Sequence, residues 1–225
     1  MAILISIEGS DGVGKKTQTD MLAKYLVEKG KRVASVSIPR YGETLGGKLL
    51  SEVLKSERAE NYNFSTVEPK IASMLYAMDR GESIDYLNDL ISNNDVIIFD
   101  RYTESNLLHQ GGKLKTEKER KEFAEWAYRL ENEMLGLPKT NLVIYLHIPA
   151  WLSMQRAENR AVQMGGKVDA AEADEEYIIN SHNAGMYYAK IFNWEVVDGM
   201  AGGVELSKEY IHGLVVDKIN KHFKV

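Results

Sequence analysis

The stretch Gly9 to Thr17 reads G-S-D-G-V-G-K-K-T, and its residue types suit the binding of phosphate. Gly9 and Gly14 are spaced as in a phosphate-binding P-loop, with Lys15 directly after the second glycine. An apolar run, Ile3 to Ile7, precedes the stretch and an amphipathic one, Gln18 to Lys29, follows it. Strand, glycine-rich turn and helix is the context such a loop needs. Backbone N–H groups of the turn can converge on phosphate oxygens where side chains would intrude. The opening helix adds unpaired N–H groups and the positive end of its dipole. Lys15 adds a charge on a flexible stem that can reach the outer phosphates. The usual motif ends in a hydroxyl residue that helps hold Mg²⁺; here that place is Lys16, and the hydroxyl comes one residue later at Thr17.

Other chemistry-prone residues stand where apolar runs stop. Pro39-Arg40-Tyr41-Gly42 closes a run from Val33 to Ile38, and Asp100-Arg101-Tyr102 ends a run from Asp95. Tyr76 and Arg80 are four apart in a helical stretch, as are Arg156 and Arg160, so each pair shares a helix face. The elements that must position them alternate. Strands are predicted at 3–7, 33–38, 95–100, 142–148 and 194–198. Helices are predicted over 18–29, about 48–55, from 65 with Ser65 and Glu68 as a capping box, over 84–92, 116–135, 151–162, through about 191, and 205–223. The long 116–135 helix carries an apolar stripe of Phe123, Ala127, Leu130 and Met134. Glu57 to Asn63 reads as loop, and Gly165-Gly166 as a break. Strands separated by helices imply an α/β fold with a parallel sheet covered on both faces. Ligands then bind beyond the carboxyl ends of the strands.

Composition bounds the rest. The 225 residues are 44% hydrophobic, enough for one sizeable core and a single domain. A net charge of −5 gives no general attraction to nucleic acid or anionic membrane. Without cysteine there is no disulfide, thiolate metal site or thiol nucleophile, which suits a cytoplasmic setting. The start reads as a buried first strand rather than a signal peptide, and no apolar run approaches the roughly 20 residues of a membrane helix.

In their order along the chain these motifs resemble thymidylate kinase, a nucleoside monophosphate kinase family. I-E-G-S-D-G-V-G-K-K-T-Q resembles its opening and P-R-Y-G its second-strand turn. M-L-Y-A-M-D-R resembles its base-binding helix, D-R-Y-T-E-S-N-L-L-H-Q its Asp-Arg-Tyr segment, and G-L-P-K-T-N-L-V-I-Y-L-H-I-P the lead into its fourth strand. The resemblance implies a P-loop kinase with a five-stranded parallel sheet and a mobile lid at about 151–178. It implies transfer of the γ-phosphoryl group of ATP to dTMP with Mg²⁺, and a homodimer. ATP would meet Gly9, Ser10, Asp11, Gly12, Val13, Gly14, Lys15, Lys16 and Thr17. Lys15, Arg101 and the lid arginines Arg156 and Arg160 would stabilise the transferring group. Arg101 would grip the dTMP phosphate, with Arg40 and Tyr41 nearby and Pro39 by the base. Tyr76 would stack on thymine, Arg80 would donate to it, and Ser105, Asn106, His109 and Gln110 would complete the dTMP pocket. Asp11 would lie near the sugar 3′-hydroxyl, and Asp100 near Mg²⁺.

Several residues keep a second reading. Arg80 could instead be paired with an acid, Arg40 could be a solvated charge, and Ser105 and Asn106 could cap a helix after the strand. Lys16 either removes one metal ligand or turns outward. Gly12 stands where some relatives carry an arginine, His109 where an aromatic crowds the sugar 2′ position, and Glu172 and Glu175 where lid acids occur. His147 reads as structural. Two other functions stay open: a kinase for another nucleoside monophosphate or a deoxynucleoside, and a nucleotide-binding protein without turnover.

Overall fold

The computed structural model describes residues 2–55, 65–163 and 174–223. Strands β1 (Ile3–Glu8), β2 (Val33–Ser37), β3 (Val96–Asp100), β4 (Leu142–His147) and β5 (Glu195–Asp198) form a parallel sheet in the order β2-β3-β1-β4-β5. Each ends within about one residue of its sequence-predicted limits. The helices are α1 (Lys15–Glu28), α2 (Leu45–Lys55), α3 (Pro69–Glu82), α4 (Ile84–Asn93), α5 (Glu104–His109), α6 (Glu117–Tyr128), α7 (Ala150–Gln163), α8 (Glu175–Ile191) and α9 (Lys208–His222).

Alternation along the strands builds the two faces. Ile5, Ile7, Val96, Ile98, Ile144 and Leu146 pack against Leu22 and Leu26 of α1 and Val215 and Ile219 of α9. Leu4, Ile97 and Phe99 turn the other way, onto Leu87 of α4. Val143 and Tyr145 meet Leu108, Phe123 and Tyr188 there. Burying each such leucine or isoleucine contributes roughly 1.5–3 kcal/mol, so the paired layers carry the fold. With β1 central, the strand order reverses on either side of it, and the loop after β1 opens at that switch point. The register sets Asp100 level with Ile7 and Ser37, and Glu8 level with Tyr145, so the chemistry-bearing strand ends form one rim.

Four expectations are corrected. The α3 cap is Glu68 itself, accepting from Ile71 N–H at 2.9 Å with Pro69 in the first turn, so Ser65 and Glu68 form no capping box. Gly46 and Gly47 lie inside α2, not before it; a Cβ on Gly46 would stand 2.5 Å from Asp79 N, so α2 needs a bare backbone to reach α3. After α6 the segment Arg129–Met134 is π-helical, and the buried stripe moves from Leu130 and Met134 to Glu131. A hairpin of β6 (Met200–Ala201) and β7 (Val204–Glu205) precedes α9, which Ser207 caps, so the last helix starts later than Glu205. The expectations for 57–63, for the Gly165-Gly166 break and for Glu172 lie outside the described residues. Among the described residues no helix is long and apolar enough to cross a membrane.

Candidate active site

The loop after β1 can take its shape because Gly9, Gly12 and Gly14 adopt φ of 146°, 79° and 94°. A Cβ on Gly9 would lie 2.6 Å from the Leu146 carbonyl oxygen, and one on Gly12 2.7 Å from that of Ser153. Gly12 therefore cannot be exchanged for arginine without moving α7, which leaves the arginines of α7 as the nearer source of lid charge. α1 begins at Lys15, so its first unpaired N–H groups open onto the loop. Lys15 is buried, and its ammonium donates to the carbonyls of Gly9 (3.0 Å) and Ser10 (2.7 Å). Burial, aided by the Arg101 charge and opposed by Asp11, Asp100 and Glu8, brings its pKa down to about 8. Ser10 is held a second time, by a 2.5 Å hydrogen bond between its hydroxyl and Nε2 of buried His182 on α8. Val13 anchors the loop in the core.

Lys16 turns outward, with its ammonium 2.5 Å from Asp20. Thr17 is exposed, since one residue along a helix rotates its side chain about 100° away. Neither side chain points into the loop. α7 packs over it: the Ser153 hydroxyl donates to the Asp11 carbonyl, and Arg156 donates to the Gly12 carbonyl (2.8 Å) and to Glu205 (2.5 Å). Arg160 is exposed, and its charge still acts on Asp11. Glu175 is exposed in the first turn of α8.

At the end of β3, Arg101 adopts φ 70°, a region that bulky residues enter at a cost of roughly 1–3 kcal/mol. Its N–H donates to Ile7 O at 3.2 Å, its Nη2 binds Asp11, and its Nη1 lies 2.9 Å from His109 Nε2. Burial opposes charge on both partners, but the Asp11–Arg101 attraction outweighs it. Asp11 is held well below the carboxylate range, and Arg101 is kept charged. Burial and the Arg101 charge push His109 down to about 3, so the imidazole is neutral. No role for Glu8 is legible in the sequence. It is fully buried and accepts from Tyr102 N–H (2.7 Å), the Ser105 hydroxyl (2.6 Å) and the Ser6 hydroxyl (2.8 Å). Desolvation raises its pKa. Glu8 thus fixes the turn that carries Arg101, and the Ser105 hydroxyl is engaged there rather than offered to a base.

Beside this turn lies a cavity of about 300 Å³. Its walls include Ser10 and Asp11 of the loop, Pro39 and Tyr41 after β2, Tyr76 and Arg80 of α3, and Arg101, Ser105, Asn106, His109 and Gln110. Tyr177 of α8 also lines it, with its ring stacked at 6.0 Å from His109; no motif in the sequence marks this residue. Arg40 is not brought in. Its guanidinium donates to Ser83 (3.2 Å), pairs with Glu43 and lies 3.9 Å from the Tyr86 ring, outside the cavity. What the Pro39–Tyr41 turn does receive is support from buried Asp79, which accepts from Arg40 N–H (3.1 Å) and the Thr44 hydroxyl. Arg80 does line the cavity, and it is also paired with an acid: its Nε donates to Glu131 at 2.7 Å.

Asp100 is buried at the end of β3, and its charge acts on both Lys15 and Arg101. No hydrogen bond or ion pair engages its carboxylate among the described residues, and no group of three acids, histidines or cysteines there could cage a metal. This donor set fits Mg²⁺, which keeps several waters and takes few carboxylates beside phosphate oxygens.

The rim therefore joins a phosphate-binding loop to a cavity with an aromatic wall and two arginines. The Thymidylate kinase family model matches residues 7–197. The chain belongs to the thymidylate kinase family. The thymidylate kinase of Mycobacterium tuberculosis (strain ATCC 25618 / H37Rv) is 31% identical over 192 residues, 84% of this chain and 85% of that one. The probable thymidylate kinase of Thermococcus gammatolerans is 30% identical over 170 residues, 72% and 74% of the two chains. A solved thymidylate kinase from Candida albicans superposes with a TM-score of 0.68 at 22% identity, covering 98% of this chain and 92% of that one. That likeness establishes the P-loop kinase fold expected from the sequence.

Proposed function

We propose that the chain transfers the γ-phosphoryl group of ATP to dTMP, giving ADP and dTDP, as one catalytic domain in the cytoplasm. The observation that carries this reading is the Asp11–Arg101 ion pair, which joins the donor loop to the acceptor cavity. ATP phosphates lie on the loop N–H groups of Gly9 to Thr17, with Lys15 leaving the Gly9 and Ser10 carbonyls for the outer phosphates. Arg101 holds the dTMP phosphate in its planar fork, and Asp11 receives the sugar hydroxyl. The base enters between Pro39 and Tyr76, towards Arg80 and Asn106. An adenine would set its amine against the donors of Arg80. Two phosphates held on one rim favour direct in-line transfer, where positioning and charge stabilisation do most of the work. Arg156 and Arg160 close over the transferring group and exclude water. Asp100 would hold Mg²⁺ directly or through water, and the bound metal would supply neutralisation of phosphate charge.

The test is an ADP-release assay over a panel of nucleoside monophosphates with ATP and Mg²⁺. dTMP is expected to be the best acceptor, and no release with any monophosphate would overturn the reading. A homodimer belongs to it, since exposed Leu45, Leu49, Ile71 and Met74 leave apolar surface on α2 and α3; light scattering reads the assembly directly. Lys16→Thr puts a hydroxyl at the usual metal-ligand position. It should lower both the Mg²⁺ concentration giving half-maximal rate and that needed for tight ATP binding by calorimetry. Unchanged dependence in both would mean that this position takes no part in holding the metal.

A further inference from the structure

We propose that Glu131 is a positioning residue for base selectivity. It fixes Arg80 and Asn106 so that the cavity offers a donor beside an acceptor, the complement of a 2,4-dioxopyrimidine. This rests on the reading of the cavity as the dTMP site. Helical periodicity assigns the core to Leu130 and Met134, yet Met134 is 71% exposed and Glu131 only 1%. The cause is the π-helical turn, in which Leu135 N–H donates to Leu130 O, five residues back. Such turns concentrate at functional sites. Here the turn swings an acid into the molecule in place of an apolar side chain.

The buried acid meets two partners. Glu131 Oε2 accepts from Arg80 Nε at 2.7 Å, and Oε1 accepts from Arg80 Nη2 and from Asn106 Nδ2 at 2.8 Å. Arg80 is as buried as Glu131. A buried ion pair of this kind is a poor device for stability, because apolar residues of the same volume do as well or better. It is a good device for orientation. The bidentate grip takes Nε and Nη2 of Arg80 and sets the plane of the guanidinium, while the side chain still lines the cavity. A carboxylate only accepts hydrogen bonds, so Asn106 must turn its NH₂ end to Glu131, and a second contact of that nitrogen, to Ser73 O at 3.5 Å, agrees. The end left for the base is the Asn106 carbonyl oxygen. Thymine and uracil offer an N3–H donor and an O4 acceptor, matching Asn106 and Arg80 in turn. Cytosine offers the reverse at both positions, acceptor against acceptor and donor against donor.

The experiment compares kcat/KM for dTMP and dCMP in the wild-type chain, Glu131→Gln and Glu131→Asp, with thermal melts in parallel. A glutamine amide can donate to the Asn106 oxygen and let that side chain turn over. E131Q is therefore expected to lower the dTMP-to-dCMP ratio by at least about tenfold, with KM for ATP unchanged. E131D keeps an acceptor-only group, and should retain the ratio while losing some rate. An E131Q variant that is slower but keeps the wild-type ratio overturns the proposal and leaves Glu131 a merely structural acid. If E131Q does not fold, the wild-type protein decides by NMR. The Asn106 side-chain NH₂ should stay protected from exchange before and after dTMP binding, and its release towards the base would overturn the orientation. A wild-type chain that turns over no dTMP is a different outcome, which removes the functional reading itself.

Discussion

Replacing Lys15 with methionine is expected to lower kcat by about 10³-fold while leaving the fold intact. Removal of one preorganised donor to transition-state charge costs about 10²–10³ in rate, and in the proposed function Lys15 brings a full charge to the outer phosphates. Methionine has nearly the same length and no charge, so it fills the buried channel. The wild-type ammonium is destabilised by that burial, and the partners lost are the Gly9 and Ser10 carbonyls and a 3.8 Å ion pair with Asp11, which keeps Arg101. The melting temperature should accordingly fall by no more than a few degrees. A second signature separates chemistry from packing. With its free pKa brought down from 10.5 to about 8, Lys15 loses its proton in the free enzyme above that pH. The kcat/KM for ATP, which reports the free enzyme, should then decline above about pH 8. Bound phosphates raise the pKa again, so kcat should hold to higher pH. A kcat/KM for ATP that stays flat beyond pH 9.5, or an active Lys15→Met variant, would show that the transferring group is stabilised elsewhere.

The residues that line the loop and the cavity were largely legible in the sequence, and those that hold them in place were not. Gly9 to Lys15 and Asp100 to Tyr102 stand out because a parallel strand ends abruptly and the next residues must serve the rim. Strand limits follow from apolar runs in the same way, whereas the strand order does not, since a run of isoleucines carries no label for its neighbour. Glu8, Asp79 and Glu131 went unread for a related reason. Their partners lie 94, 39 and 51 residues away, and an acid among apolar residues has no local signal saying which group it will neutralise. Arg80 illustrates the limit: the i, i+4 relation to Tyr76 places it correctly, yet only the π turn at Arg129–Met134 supplies the acid opposite it. Arg40 shows the reverse failure. Its motif is read correctly as a turn by the cavity, but an arginine side chain is long enough to leave for Glu43 and Tyr86. Lys16 falls between, an irregular position in a regular motif, whose charge the structure settles on Asp20.

Arg101→Leu is expected to reduce kcat/KM for dTMP by about 10³–10⁴-fold, most of it as a rise in KM for dTMP. Two losses combine. The acceptor phosphate forfeits a bidentate, charge-assisted grip, and Asp11 is left as a partly buried carboxylate without its nearest cation. Truncating one member of a desolvated charge pair costs about 2–5 kcal/mol, and 1.36 kcal/mol is tenfold, so either loss alone is large. Arg101→Lys isolates the geometry: the charge remains, the fork does not, and the expected loss is about 10²-fold. Backbone strain adds a control. Arg101 holds a left-handed conformation that is unfavourable for any side chain with a Cβ, so arginine, lysine and leucine share that cost and it cancels between the variants. ATP binding measured by calorimetry should change far less than KM for dTMP, because the loop N–H groups and Lys15 are untouched. If ATP affinity collapses and KM for dTMP stays put, Arg101 belongs to the donor side, and the two halves of the site must be exchanged.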